Sequence, residues 1–369
     1  MKNYKISEIC IFEKKTKRRA SLGKPNGKFK FFTSSPYQSK FLDSFDFEGD
    51  YIIIGTGGVA NIHFFNDKFS ASADCLVLNT NRNIILTKYL YYFFKRNFYL
   101  LKNGFKGAGL KHISKEYIER LIIPVPDLSE QQKIISLMDT LENLITERQK
   151  ANKQTKNFLY ASYFELFGNP LINQKGFKKV NLSEIVEINP SKSEIKDVPL
   201  SNKISFIEMA SVSNEGKIIN KEERNIQEVI KGFTYFKNGD VLFAKITPCM
   251  ENGKGAIAQN LQNGIGFGST EFHILRPNNK VLKEWLFVLT KLKNFRDYCK
   301  KNMTGTAGQK RVPKTFLEEI EVFLPPIELQ EKFKIIYNKV IDLEKNQKES
   351  ESEINNAYNT LLQKQIISV

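Results

Sequence analysis

The chain has 369 residues, of which 41% are hydrophobic, and its formal net charge is +16. A chain of this length usually forms two or three domains, each large enough to bury a core of its own. No apolar run approaches the ~18 to 20 residues that a membrane-spanning helix needs, and the first residues lack the apolar segment of a signal peptide, so we expect a cytoplasmic protein without a membrane partner.

The charge and the scarcity of metal-binding side chains narrow the classes of function. An excess of positive charge favours a polyanionic partner such as DNA or RNA. The four cysteines form no CxxC pair and lie mostly inside apolar runs, which is typical of reduced core residues. The three histidines are scattered along the chain. We therefore expect no metal site.

The first part of the chain, residues 1–127, has the pattern of a mixed α+β domain. A basic cluster between Lys14 and Lys30 can be a solvated loop or a surface that contacts phosphates. Gly49–Ile54 has the pattern of a turn followed by a buried strand. The aromatic run Tyr89–Phe94 favours a helix that faces the core, and the short strands favour a largely antiparallel sheet.

One glycine-rich segment invites comparison with a cofactor site. Gly55-Thr56-Gly57-Gly58 follows a predicted strand, as the phosphate loop of dinucleotide-binding proteins does. Such a loop begins a helix, whereas Val59–Phe65 has a strand pattern. The chain also lacks the Asn/Asp-Pro-Pro-aromatic tetrapeptide of methyltransferases that act on DNA amino groups. We therefore predict no cofactor and no catalytic residue in this chain.

A single long helix is predicted over Leu128–Phe167, in a segment that we bound at residues 128–170. Apolar residues recur there in steps of four and three, which places them in one stripe along a helix. These residues are Ile134, Met138, Leu141 and Ile145. The stripe lapses into polar residues in the middle of the helix and resumes at Leu159.

The second half of the chain repeats the first. Residues 171–326 have the pattern of a second α+β domain, and residues 327–369 that of a second long helix. An offset of 199 residues (306 − 107) places Gly107 over Thr306 and keeps the following loop and helix in register. The chain is therefore an internal duplication, in which each copy is a globular part followed by a long helix.

Three features together resemble the specificity subunit of type I restriction-modification systems. They are the segment Gly239–Lys254, the loops that end at Ile113 and Val312, and the Pro-x-Leu/Ile-x-x-Gln helix start that occurs twice. The resemblance implies a non-catalytic DNA-recognition protein of host defence, with two tandem, pseudo-repeated α+β target-recognition domains separated by two long antiparallel coiled-coil helices. It also implies that the helices dock two modification (methyltransferase) subunits, to which restriction (nuclease and translocase) subunits add.

Loops that can enter a DNA groove supply the candidate binding residues. Gln can pair with adenine, Arg with guanine, and Lys with phosphate. The candidates are Lys106, Lys111 and His112 in the first domain, and Thr247, Glu251, Asn252, Lys254, Thr304, Gly305, Thr306, Gln309, Lys310 and Arg311 in the second. The glycine, threonine and asparagine residues can instead serve only as caps and turns.

The long helices supply the candidate contacts with other subunits. Polar residues in a coiled-coil seam cost stability, so they either fix the register of the helices or mark where another subunit completes the packing. The candidate interface residues are Leu141, Ile145, Arg148, Leu159, Val340, Leu343 and Tyr358. A solvated helix face without a partner is the alternative.

Together, these features predict a specificity subunit that reads a bipartite target in double-stranded DNA, with one half-site per domain. A helix of about 40 residues is ~60 Å long, which corresponds to at most roughly 17 base pairs, so an unread gap can separate the half-sites. A self-contained DNA methyltransferase or nuclease is the alternative from another class. An RNA-binding or purely architectural coiled-coil protein is a third, but it does not explain the duplicated domains.

Overall fold

Two compact units make up the chain, and each contains part of both long helices. Unit 1 comprises residues 1–150 and 347–369, and unit 2 comprises residues 151–346. The computed structural model describes residues 1–306 and 308–365. The division between the units falls in the polar middle of each long helix, where the apolar stripes lapse.

Unit 1 consists of short strands and helices that precede the first long helix. Its strands are β1 (Lys2–Lys5), β2 (Cys10–Phe12), β3 (Phe29–Phe32), β4 (Lys40–Leu42), β5 (Phe47–Glu48), β6 (Tyr51–Gly55), β7 (Ile62–Phe65), β8 (Lys68–Ala71), β9 (Cys75–Thr80) and β10 (Ile122–Val125). Its helices are α1 (Ile6–Ile9), a 3₁₀ turn at Ala20–Leu22, α2 (Thr87–Arg96), α3 (Phe98–Gly104), α4 (Lys115–Glu119) and the first part of α5 (Leu128–Phe167). Helix α2 confirms the helix predicted over the aromatic run, and Tyr89, Tyr92 and Phe93 are buried on it.

Two four-stranded sheets and one two-stranded ribbon organise unit 1. The strand orders are β2-β9-β6-β7 and β4-β3-β8-β5, and β1 pairs with β10. Neighbouring strands pair antiparallel, except for the parallel pair β3 and β8. Strand β6 is buried on both faces, because Ile52 and Ile54 enter the core that α2 covers while Ile53 enters a second core with Phe69. Its side chains alternate across the sheet, as the two-residue period of a strand requires.

Unit 2 begins in the second part of α5 and ends in the first part of the last helix. Its strands are β11 (Lys178–Asn181), β12 (Val186–Ile188), β13 (Lys203–Ile207), β14 (Glu222–Asn225), β15 (Thr234–Lys237), β16 (Val241–Ala244), β17 (Gly255–Ile257), β18 (Ile265–Gly268), β19 (Phe272–Pro277) and β20 (Glu321–Leu324). Its helices are α6 (Ile226–Val229), α7 (Lys283–Lys291), α8 (Lys293–Lys301), α9 (Lys314–Glu319) and the first part of α10 (Ile327–Gln365). Short 3₁₀ turns occur at Leu182–Glu184, Lys192–Ile195, Met209–Ser211 and Gln262–Gly264.

The strand order of unit 2 repeats that of unit 1. Its sheets run β12-β19-β16-β17 and β14-β13-β18-β15, and β11 pairs with β20. Strands β13 and β18 form the parallel pair. Strand β16 repeats β6, since Val241 and Phe243 enter one core while Leu242 and Ala244 enter another. The predicted duplication and the α+β class are both confirmed.

A buried glutamine fastens the start of the first long helix. Gln131 accepts a hydrogen bond from Leu86 N at 2.8 Å, and its amide nitrogen donates to Ile84 O at 3.0 Å and Pro126 O at 2.9 Å. The residue is 0% exposed. One buried side chain therefore satisfies three partly buried backbone groups, and it ties the helix to the turn before α2.

Gln330 makes the same three contacts in unit 2. It accepts from Leu282 N at 2.8 Å and donates to Lys280 O at 3.1 Å and Pro325 O at 2.9 Å. It is also 0% exposed. The glutamine of the repeated helix-start motif thus has a structural role in both copies.

The two long helices pack antiparallel. In unit 2 the last turns of α5 meet the first turns of α10, where the rings of Tyr163 and Phe167 lie 5.4 and 5.3 Å from the ring of Phe333. In unit 1 an earlier part of α5 meets a late part of α10, and the Tyr358 hydroxyl donates to Glu142 Oε1 at 3.0 Å. Among the described residues, no helix combines the length and the apolar character needed to cross a membrane.

The glutamine contacts generate a prediction about stability. Gln131→Leu keeps a side chain of similar size in place but leaves three partly buried backbone groups without this partner, so the free energy of unfolding of unit 1 should fall by about 2 to 4 kcal/mol. Chemical denaturation of the full-length chain, followed by circular dichroism, measures the change. The neighbouring Gln132 is exposed, so Gln132→Leu should change the free energy by less than about 0.5 kcal/mol. Equal losses in the two variants would contradict this role.

Candidate nucleic-acid interface

Three segments of unit 2 meet where strand β16 ends. They are residues 245–254 after β16, residues 269–271 before β19, and residues 304–311 before α9. Lys245 N donates to Glu271 O at 2.9 Å, which joins the first segment to the second. We call the described residues of these three segments the unit 2 loop surface.

Backbone hydrogen bonds also join the first segment to the third. Thr247 N donates to Lys310 O at 2.9 Å. Thr304 and Arg311 form an antiparallel bridge, with N···O distances of 2.9 and 2.8 Å. The two candidate DNA-binding loops that the sequence identified separately are therefore parts of one surface.

Unit 1 has the same arrangement at the end of strand β6. Thr56 N donates to Asp74 O at 2.8 Å, and Gly58 N donates to Lys111 O at 3.0 Å. Lys106 and His112 form a bridge with two N···O distances of 2.9 Å. We call residues 55–61, 72–74 and 106–112 the unit 1 loop surface.

The structure corrects the alignment of the two repeats inside this loop. Gly107 has φ 136° and Gly305 has φ 116°, and a Cβ on either would lie about as close to a loop carbonyl, 3.0 Å from Leu110 O or 2.9 Å from Gln309 O. Gly107 therefore corresponds to Gly305, not to Thr306 as the constant offset implied. The bridges span Lys106 to His112 and Thr304 to Arg311, so the second loop is one residue longer.

Most of the predicted DNA-contacting residues lie exposed on the two loop surfaces. The exposed set is Lys106, Lys111, His112, Asn252, Thr304, Gly305, Thr306, Gln309 and Lys310. It includes three lysines, whose ammonium groups can reach phosphates, and Gln309 and His112, which can reach base edges. Within each unit, the backbone contacts described above bring these residues together.

Three predicted residues of the segment 245–254 are engaged inside unit 2. The Thr247 hydroxyl donates to Glu251 Oε1 at 2.5 Å. The Lys254 ammonium donates to Met209 O at 2.9 Å, and all three side chains are partly buried. We therefore assign Thr247, Glu251 and Lys254 to holding the loop, which leaves Asn252 as its candidate contact with DNA.

Arg311 is held by an acidic residue that the sequence did not place in the site. Its Nε donates to Glu271 Oε2 at 2.9 Å and its Nη2 donates to Glu271 Oε1 at 2.7 Å. These hydrogen bonds lower the pKa of the Glu271 carboxyl below its ordinary value, so the ion pair is charged at neutral pH. The pair spans 40 positions of the chain, a separation at which no local pattern signals a contact. The sequence feature that could have indicated this contact is the position of Glu271 directly before strand β19.

Close packing explains the glycine-rich segment of unit 1. A Cβ on Gly55 would lie 2.6 Å from the amide nitrogen of Asn61. Asn61 is 4% exposed, and its amide donates to Ser34 O and Val59 O, both at 2.9 Å. The Ser34 hydroxyl accepts from Thr56 N at 3.2 Å. The strand predicted over Val59–Phe65 is shorter than expected, because β7 begins at Ile62 and the residues before it form this loop.

A buried histidine contacts the backbone directly after the last segment of the unit 2 loop surface. His273 is 3% exposed, and its Nε2 lies 2.8 Å from Val312 O while its Nδ1 lies 3.1 Å from the Asn189 amide nitrogen. Burial is the main cause that lowers the pKa of His273 to about 4, so the ring is neutral at pH 7. The neutral ring donates to Val312 O through Nε2 and accepts from Asn189 through Nδ1. Among the described residues, no group of three or more His, Cys, Asp or Glu side chains is arranged to hold a metal ion.

The predicted subunit-contact residues include several that belong to the cores. Leu141, Leu159 and Val340 are 9%, 8% and 1% exposed. Packing covers them in this structure, so little of these three side chains is accessible to another subunit. Their low exposure has a simple cause: an apolar stripe shows which face of a helix is covered, but not what covers it.

The remaining predicted contact residues are accessible to different degrees. Leu343 is 51% exposed, whereas Ile145, Arg148 and Tyr358 are partly buried. Two further apolar residues, Leu137 and Leu144, are 38% and 47% exposed on the unit 1 part of α5. They lie seven positions apart, which places them on one face of that helix. The sequence stripe did not include them.

Comparison with known proteins assigns the chain to a family. The family model described as the type I restriction modification DNA specificity domain matches residues 1–156 and 174–356, one match in each repeat. The chain belongs to this family. The resemblance stated from the sequence motifs is thereby confirmed.

Individual members of the specificity family cover this chain to different extents. The EcoAI specificity subunit of Escherichia coli is 40% identical over 170 residues, 46% of this chain and 28% of that protein, so the match spans less than a third of its length. The MjaVIII specificity subunit of Methanocaldococcus jannaschii is 26% identical over 326 residues, 82% of this chain and 75% of that protein. The crystal structure of the S subunit from M. genitalium shares the fold, with a TM-score of 0.66, 16% identity, and coverage of 100% of this chain and 96% of that one.

The buried imidazole makes the stability of unit 2 depend on pH. The pKa of His273 is about 4 in the folded chain against an ordinary value of 6.5. Between these values the unfolded chain binds more protons, so stability falls as the pH falls, by about 2 kcal/mol at pH 5 relative to pH 8. Chemical denaturation at both pH values measures this loss. In His273→Gln the amide can make both hydrogen bonds without titrating, so the variant should lose about 2 kcal/mol less on acidification; an equal loss would contradict the assignment.

Proposed function

We propose that this chain is the DNA sequence-specificity subunit of a type I restriction-modification complex. Its target is a bipartite site in double-stranded DNA, and each unit reads one half-site through its loop surface. Modification (methyltransferase) and restriction subunits bound to this chain supply the chemistry. The chain itself contributes binding and orientation and no catalytic group.

The observation that carries the proposal is the repetition of the loop surface with different side chains. The backbone hydrogen bond from Thr56 to Asp74 recurs as the bond from Lys245 to Glu271. The bridged residue His112 of unit 1 corresponds to Arg311 of unit 2. Each unit thus offers the same backbone edge to a duplex but different donors to the bases, which is the arrangement that an asymmetric target in two parts requires.

The charge of the loop surfaces supports a duplex as the ligand. Lys106, Lys111 and Lys310 are exposed on them, and the chain as a whole has a formal net charge of +16. Contacts to phosphates position a protein on DNA without reading its sequence, whereas hydrogen bonds to base edges in the major groove read it. The lysines suit the first role, and Gln309 and Arg311 suit the second.

The exposed apolar residues of the long helices support docking of the other subunits. Leu137 and Leu144 lie on one face of α5 within unit 1, and Leu343 lies on α10 within unit 2. Large apolar side chains repeated along a helix face favour a protein partner over permanent contact with water. Arg148 follows Leu144 by four positions, which places it on the same face toward the polar middle of α5, whereas Ile145 lies in the neighbouring stripe with Leu141.

A self-contained DNA methyltransferase is the alternative function, and the glycine-rich segment is the feature that could favour it. The Ser34 hydroxyl accepts hydrogen bonds from Thr56 N and Gly57 N at 3.2 and 3.3 Å. Backbone donors that hold a side chain of their own unit are not arranged as a cradle for a phosphate or a nucleotide. This contact favours the non-catalytic function.

Exchange of one unit's globular part tests the assignment of half-sites. Lys2–Val125 begins and ends in the paired strands β1 and β10, so the corresponding segment of a relative can replace it with both ends already held together. With the modification subunits of its own system, the hybrid should methylate a site in which one half is new and the other is unchanged. Sequencing of methylated positions in genomic DNA reads the result. If both halves changed together, a model with one reader per unit would be wrong.

Salt dependence tests the electrostatic part of the proposal. Each phosphate that a lysine neutralises releases counterions, so Lys310→Ala should reduce the slope of log affinity against log salt by about 0.9 if that lysine contacts the duplex. Titration of the assembled complex with a labelled duplex at several salt concentrations gives the slope. Lys178→Ala removes one charge from exposed strand β11 outside the loop surface and should leave the slope unchanged. The same slope in the wild type and Lys310→Ala would exclude this phosphate contact.

A further inference from the structure

Arg311 is fixed through both its backbone and its side chain. Its bridge with Thr304 holds the backbone. The guanidinium donates to Glu271 from Nε and Nη2 at 2.9 and 2.7 Å, and to Gln309 O from Nη1 at 3.0 Å. A long side chain on a loop is therefore held in one orientation, although 41% of it remains accessible.

The contacts of Arg311 leave a defined pair of donors for a ligand. An arginine carries five N–H hydrogens in a rigid plane. Within the described residues, three of them are used, which leaves one hydrogen on Nη1 and one on Nη2. Two neighbouring donors match the O6 and N7 acceptors of guanine in the major groove. Adenine presents only one acceptor there, beside an amino group that is itself a donor, so the same pair discriminates against adenine.

We infer that Glu271 is a positioning residue that presents Arg311 to a guanine in the half-site read by unit 2. The inference rests on the proposed DNA recognition and adds to it one base and one residue. Glu271 acts only through Arg311: without the carboxylate, the guanidinium has to be ordered when the base is bound, and that ordering costs affinity for the matching sequence.

The charge of Glu271 separates this role from ordinary attraction to DNA. A carboxylate on a surface that faces phosphates lowers the local positive potential, so it weakens binding to any duplex. The favourable effect of the Glu271 carboxylate is that it orients Arg311. Loss of the carboxylate therefore has two effects of opposite sign, weaker discrimination between bases and equal or stronger binding to nonspecific DNA.

The corresponding positions of the unit 1 loop surface do not carry this pair of donors. Asp74 and His112 stand at the positions that correspond to Glu271 and Arg311, as the backbone contacts of the two loop surfaces show. An imidazole does not carry two neighbouring N–H donors on adjacent atoms. The guanine assignment therefore applies to the half-site of unit 2 alone.

The experiment is a binding selection from duplex DNA of randomised sequence, with the full-length chain co-purified with the modification subunits of its own system. Arg311→Ala should lower the preference for guanine at one position of one half-site by about 5- to 100-fold and leave the other positions intact. Glu271→Ala should lower it at the same position by about 2- to 10-fold, the cost of ordering one long side chain. Binding to a nonspecific duplex should stay equal or become stronger in Glu271→Ala.

Three further variants distinguish positioning from a general structural effect. The double variant with Glu271→Ala and Arg311→Ala should discriminate no worse than Arg311→Ala alone, because the two residues act as one unit. Glu271→Gln keeps one acceptor oxygen and should lie between the wild type and Glu271→Ala. Glu321→Ala is the matched control: it removes the same charge from an exposed ion pair with Lys179 of 2.6 Å and should leave every base preference unchanged. Thermal unfolding of each variant verifies that it is folded.

The outcomes separate the inference from the proposed function. A guanine preference that is lost in Arg311→Ala but survives in Glu271→Ala overturns the positioning role. A loss of affinity that is equal for all sequences identifies a phosphate contact of Arg311 and also overturns the inference, as does a preference for another base at the affected position. In this experiment, the proposed function fails if the wild-type complex selects no two-part sequence at all.

Discussion

The backbone hydrogen bonds at the ends of strands β6 and β16 are the constraint on which each loop surface depends. Both strands are buried on two faces, so their ends cannot shift without moving two cores. The residue that follows each strand, Thr56 or Lys245, then bonds to the residue before the adjacent strand of the sheet, β9 or β19, and to the residue after the loop. Loops without regular structure thereby obtain the rigidity of the sheet, and rigid placement is what recognition of a base edge needs.

Because the contacts that the two units share are made by the backbone, they tolerate different side chains at the exposed positions of the loops. The unit 1 edge has His112 where the unit 2 edge has Arg311, and the loop of unit 2 accommodates one additional residue. The two loop glycines keep the same conformation in spite of these changes. The same fold can therefore present different donors and acceptors to DNA without a cost in stability, and the duplication gives one chain two independent sets of them.

Local patterns in the sequence predicted the fold well and the site only in part. The bounds of α5, Leu128–Phe167, follow from a proline, a cap and an apolar stripe, all of which are local signals. The constant offset failed at Gly107, because a single insertion in a loop changes the register without changing any periodicity. Leu159 and Val340 were expected at a subunit interface because an apolar stripe does not show what covers it. The contact between Glu271 and Arg311 joins residues that are distant in the chain, so only the fold could bring them together.

In the proposed recognition of DNA, the two kinds of basic residue on the unit 2 loop surface have different roles, which follow from their mobility. Lys310 is exposed on a flexible stem, and a phosphate attracts an ammonium group from many directions, so ordering it beforehand would gain little. A base edge accepts hydrogen bonds only in its own plane, and a planar guanidinium meets that demand if its orientation is already set. The structure holds Arg311 through three of its five N–H groups. In this proposal nonspecific attraction comes from mobile lysines, while discrimination comes from Arg311, whose orientation is set before DNA binds.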